Sequence, residues 1–193
     1  MPLIDLTKVN LPETIEVAGR LYPIKTDFRF WLTFQKLWHE TKEHTYLDFD
    51  FLYDGDIPSD RAEGYKELVL FFTKTNELPR DIGARSSHEQ ILDYLTDSDY
   101  IYAAFLEQYK IDLTAPELKL HWWKFKALVN GLHNTKLNEI IGYRCYEENT
   151  KVDQNTEKRR YRQLKEMWRI KEEVTLTEEE QRLLDRFNAI GGK

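Results

Sequence analysis

Apolar residues recur along this chain at two different spacings. In ETIEVAGRLYPIKTD, Ile15 and Val17 alternate with polar neighbours, Ala18-Gly19 offers a two-residue turn, and Leu21 to Ile24 resumes the apolar character beyond it. That pattern predicts one β-hairpin. The spacing then lengthens to that of a helix. Phe28, Trp31, Leu32, Gln35 and Trp38 share a stripe in DFRFWLTFQKLWHE, with Thr26 or Asp27 placed to cap it. DFDFLYDGDIPSD reads as a turn-rich acidic connection, and SDRAEGYKELVLFFTKT as a helix with Ala62, Tyr65, Leu68, Val69 and Phe72 on one stripe and Ser59 as its cap. NELPRDIGARSSHEQ, with its proline, glycine and paired serines, predicts a loop.

Helices dominate the chain beyond that loop. Ile101, Phe105 and Tyr109 recur every four residues in SDYIYAAFLEQYK, with Ala104 and Leu106 beside them and Asp97 or Ser98 as the cap. TAPELKLHWWKFKALVNGL begins with the capping pattern Thr114 to Glu117, and Gly131 marks its end or a close neighbour. Within it Trp122, Phe125, Leu128, Val129 and Leu132 form one stripe, whereas Trp123 aligns with Leu120, Ala127 and Gly131 on another face. Either the helix is buried on two sides, or the Trp123 ridge accepts a partner. A short helix comes next on Leu137, Ile140, Ile141 and Tyr143; NTKVDQNTEK then reads as a linker. Tyr161, Leu164 and Trp168 mark another helix, and Thr177 to Glu180 opens a last one on Leu183, Leu184 and Phe187. The expected architecture is mainly α: a multi-helix bundle with a short N-terminal β-hairpin and a C-terminal helical hairpin. We expect a body over residues 1–148 and a charged extension over 149–193.

Composition supports a folded chain. Its 193 residues are 41% hydrophobic and 13% aromatic, too rich in apolar groups for disorder despite 32% charge. Apolar runs long enough to span a bilayer are missing and the N-terminus lacks a signal-peptide pattern, which points to the cytosol. The net charge of −6 argues against nonspecific attraction to nucleic acid. The sign reverses locally: residues 151–171 hold eight Lys or Arg against three Asp or Glu, while residues 1–150 hold 17 against 25. Arg159 and Arg160 with Trp168 offer a second candidate contact surface, in an extension expected to dock on the body or on another chain.

Candidate chemistry is sparse. In HETKEH, His39 and His44 are five apart and diverge by about 140° on a helix, so the four-residue spacing of zinc-binding helices is missing. Asp48, Asp50, Asp54 and Asp56 evoke calcium, but Leu52 and Tyr53 occupy ligand and glycine positions of such a loop, and a solvated acidic loop is the plainer reading. Cys145 is alone, which rules out an internal disulfide, and neither it nor His121 has a sequence neighbour that would make a nucleophile and base of them. A phosphate-cradling glycine loop is also missing. We expect no catalytic residues, no metal and no cofactor.

Ile91 to Arg144 resembles the signature region of the bacteriophage gene-product-fifteen family. The resemblance rests on Asp93-Tyr94 followed by Asp97, on YIYAAFLEQYKIDL, and on Leu120-His-Trp-Trp-Lys-Phe-Lys-Ala-Leu128 with Gly131-Leu132 behind it. The hairpin and the TDFRFWLTF helix also match the family's opening. Members lie in the tail gene modules of long-tailed phages and prophages of Gram-positive bacteria, between the major tail protein and the tape-measure protein. The resemblance therefore implies a non-enzymatic tail assembly factor, chaperone-like, acting in the host bacterial cytoplasm. Its partners would be the tape-measure protein and other tail proteins, with self-association left open. A minor structural tail or tail-completion subunit is the alternative. The contact residues expected under the first reading are Leu120, Trp123, Ala127 and Gly131 on the ridge, with Arg159, Arg160 and Trp168 in the extension.

Overall fold

The computed structural model describes residues 3–40, 46–74, 91–146 and 155–170. Among them the chain is mainly α: six α-helices, one 3₁₀ helix and a two-stranded antiparallel hairpin. The expected loop Asn76 to Gln90, the boundary after residue 148 and the last helix from Thr177 lie outside the described residues. The chain divides into two compact units, Met1–Gly142 and Tyr143–Lys193.

The hairpin pairs β1 (Thr14–Val17) with β2 (Arg20–Pro23), Val17 facing Arg20 across the turn. Ala18 and Gly19 both take positive φ, 51° and 78°, the combination whose twist matches that of a hairpin. Pairing does not stop at Pro23. Ile24 bridges to Tyr53, and Asp27 bridges to His121. Lys25 N donates to Leu52 O at 2.8 Å, Phe28 N to Leu120 O at 2.9 Å, and Trp122 N to Thr26 O at 2.7 Å. One short extended segment thus fastens two distant parts of the chain, residues 52–53 and 120–122.

α1 (Phe28–Glu40) starts at Asp27, whose carboxylate accepts from Arg29 N at 3.0 Å. Phe28, Trp31 and Phe34 are buried, while Trp38 lies at the surface rim. The buried face is therefore turned toward Phe34, a position off the expected stripe. The acidic connection is a correction: residues Tyr46–Leu52 form a 3₁₀ helix, and Phe49, Leu52 and Tyr53 enter the core while the aspartates stay outside it. α2 (Arg61–Thr73) is capped by Asp60, which accepts from Glu63 N at 3.0 Å, in place of the expected Ser59.

α3 (Ser98–Tyr109) follows the expected four-residue pattern, with Ile101 and Phe105 buried. Asp97 occupies the cap position but turns its carboxylate to Asp93 N at 3.1 Å; Asp93 in turn accepts from Leu95 N, Thr96 N and Gln35 Nε2. These buried carboxylates brace the turn into α3. α4 (Trp122–Gly131) starts eight residues after Thr114, so the expected capping box is another correction. The Thr114 backbone N–H and hydroxyl both bond Asp112, and residues 120–122 are held extended by their pairing with Thr26 and Phe28, leaving His121 as the cap. α5 (Lys136–Arg144) has a reciprocal cap between Thr135 and Asn138. In the second unit, α6 (Asn155–Trp168) stacks Tyr161 on Tyr146 at 4.9 Å, and Arg144 Nε donates to Trp168 O at 2.6 Å.

Candidate functional site

The adjacent tryptophans of α4 serve the end of α2. A helix leaves its last carbonyls without intrahelical donors. Leu70 O accepts from Lys74 N, and the next two carbonyls take side chains from α4. Trp123 Nε1 donates to Phe71 O and Trp122 Nε1 to Phe72 O, both at 3.1 Å. The rings pair in the same order, Trp123 on Phe71 with centroids 4.9 Å apart and Trp122 on Phe72 at 5.2 Å and 5° between planes. Neighbouring side chains diverge by about 100° on both helices, so two consecutive tryptophans can meet two consecutive phenylalanines.

Lys126 completes this clamp. It lies one turn after the tryptophans, is 5% exposed, and donates to Phe72 O at 2.6 Å and Lys74 O at 2.5 Å. Burial, reinforced by the charge of Lys74, pulls its amine down to about 7. The four- and three-residue offsets from Trp122 and Trp123 place it on their side of the helix, and that spacing is a signal from which the sequence could have yielded it.

A surface concavity lies elsewhere in the first unit. A groove of about 780 Å³ runs between the strap Val9–Glu13, the start of α1 and the stretch Pro116–Lys124. Val9, Leu11, Phe30, Leu118 and Leu120 supply its apolar lining. Arg29 forms one wall: its guanidinium donates to Leu118 O, Leu113 O and Ala115 O at 2.8–3.0 Å and lies 3.5 Å from Asp27. That network holds the 113–118 turn against α1. His121 is equally committed. Nδ1 accepts from Trp123 N at 3.0 Å, so the ring proton resides on Nε2, which lies 3.0 Å from Pro12 O. Burial lowers its pKa from the ordinary value, favouring this neutral form.

Of the residues expected to bind a partner, Leu120 and Trp123 are buried, 8% and 4% exposed. The Trp123 ridge is therefore not an open surface: Phe71 covers the indole and the Lys74 amine stands 4.3 Å from its centroid. Ala127 is half-buried, and a Cβ on Gly131 would meet the Tyr109 hydroxyl at 2.8 Å. Leu120 alone of this set lines the groove. In the second unit Arg159 and Arg160 are exposed and Trp168 is half-buried. Val9, Phe30, Lys119 and Lys124 carry no sequence signal of their place here, because a groove assembled from three separated segments leaves no local periodicity.

The acidic connection resolves into ion pairs, Asp50 with Arg61 at 3.1 Å and Asp56 with Arg20 at 2.6 Å. Among the described residues no three His, Cys, Asp or Glu side chains form a group that could hold a metal ion, and no helix is long and apolar enough to cross a membrane. The HETKEH side chains lie outside the described residues.

A family model described as Bacteriophage Gp15 protein matches residues 8–170, from the strap to the end of α6. No curated protein and no solved structure matches the chain.

Proposed function

This chain belongs to the Bacteriophage Gp15 protein family, and from that premise we propose that it is a non-enzymatic tail assembly factor that binds the tape-measure protein during morphogenesis in the host cytoplasm. The carrying observation is the family match over residues 8–170, in a family whose members resemble products encoded between the major tail protein and the tape-measure protein. The groove adds support, since an assembly factor for a long apolar-rich client needs a concave apolar surface bordered by charge. A binding role also suits the groove's polar groups, because Arg29 and His121 spend their hydrogen-bonding capacity on the fold.

Co-expression with the tape-measure protein of the same tail module, followed by size-exclusion chromatography with light scattering, tests the proposal. A soluble complex of defined mass is expected. Separate elution, with the client still insoluble, would overturn it; detection of this chain in purified virions by mass spectrometry would then favour a minor structural subunit.

A further inference from the structure

We infer that the groove between the Val9–Glu13 strap, α1 and Pro116–Lys124 is the docking site for a partner segment that carries apolar side chains flanked by carboxylates. Shape and lining supply the first half of that description. Phe30 is 37% exposed on the groove wall and Val9 is fully exposed at its rim, while Leu120 lies beneath them, so an apolar side chain entering the groove meets apolar surface already facing water. Charge supplies the second half. The chain carries −6 overall, yet Lys119 and Lys124 both border this groove, and among the described residues neither forms an ion pair. Arg29 is spent on three carbonyls and Asp27, which leaves the two lysines as the cations available to an incoming chain. Glu13 is the opposing charge, since Asp27 is turned toward Arg29 and the Leu120 backbone N–H. A basic segment would meet the lysines unfavourably, whereas one with Asp or Glu beside Leu or Phe finds both of its needs.

The inference rests on the proposed function only for which protein supplies the segment. Its test uses the full chain and the double variant Lys119→Glu/Lys124→Glu, whose exposed positions leave folding intact, verified by an unchanged melting temperature. If wild type captures the tape-measure protein, the variant should bind at least about tenfold more weakly, and raising the salt should weaken the wild type toward it. Equal capture by both would overturn the groove assignment and leave the assembly role standing. If wild type captures no tape-measure protein, the assembly role fails and the groove is tested alone, by fluorescence anisotropy with synthetic peptides. These carry a Leu-Phe core flanked by Glu or, in the control set, by Lys. Preference for the Glu peptides that disappears in the variant supports the groove; no preference in the wild type overturns it.

Discussion

Replacing Trp123 with alanine separates a tryptophan that holds the core from one that waits for a partner. The indole is 4% exposed, stacks on Phe71 at 4.9 Å and donates to Phe71 O at 3.1 Å. Truncating a buried tryptophan costs about 3–5 kcal/mol from lost transfer energy and the residual cavity. Orphaning the Phe71 carbonyl at a buried helix end places the expected loss toward the upper part of that range. Since domains of this size have about 5–15 kcal/mol of stability, the alanine variant should unfold at a much lower urea concentration. Trp123→Phe keeps the stack and removes the N–H, so it should lose about 1–2 kcal/mol. Urea unfolding of the full chain would be followed by circular dichroism and tryptophan fluorescence, whose transitions must coincide for a two-state treatment. A loss below about 1 kcal/mol for Trp123→Ala would refute the clamp and return this ring to the surface.

Three further outcomes are expected. Gly64→Ala should destabilise, because its Cβ would come within 2.5 Å of the Tyr53 hydroxyl and 2.8 Å of Pro58 Cγ; overpacking of about 1–3 kcal/mol exceeds the roughly 1 kcal/mol gained in helix propensity, and adding Tyr53→Phe should recover part of the loss in urea midpoint. The folded-state pKa of His121 lies below its ordinary 6.5, so its contribution is present above that pH and is lost as pH falls through the lower folded value; unfolding midpoints should drop on acidification from neutrality, and His121→Asn, which can still cap α4, should flatten the drop. Lys126 is pulled from 10.5 to about 7, so the unfolded chain binds its proton more tightly and stability should rise with pH between those values; Lys126→Met should remove that slope, and a retained slope would assign it to another group.

The elements legible in the sequence are those whose signal is local. Ile15 and Val17 with Ala18-Gly19 define the hairpin, and the four-residue recurrence of Ile101, Phe105 and Tyr109 defines α3. The misplaced features depend on distant residues. The Thr114 capping pattern is sound chemistry, but Asp112 captures the threonine and Thr26 draws Trp122 into pairing, so the helix begins later. Phe49, Leu52 and Tyr53 look like a turn because aspartates punctuate them, although the packing of α1 and α2 withdraws them from water. Trp123 is ambiguous in sequence because its partner is the end of another helix, 52 positions away. Arg29 gives no hint of its role, since charged residues on amphipathic helices ordinarily face solvent, whereas the only trace of Lys126 is its spacing of four and three from the two tryptophans.

The fastening of Thr26 to Phe28 by residues 120–122 also bears on how the chain is made. Arg29 meets Leu118 O across 89 positions of sequence, and ribosomes add about 5–20 residues per second. The N-terminal hairpin and α1 therefore emerge roughly 5–20 s before the strand segment that closes over them. Phe34 finds Phe49 and Phe72 part-way through that interval, whereas Phe28 waits for Phe125. Synthesis thus leaves the aromatic N-terminal end of α1 uncovered longest, and slow translation between residues 73 and 120 would lengthen the period in which nascent chains can stick to one another.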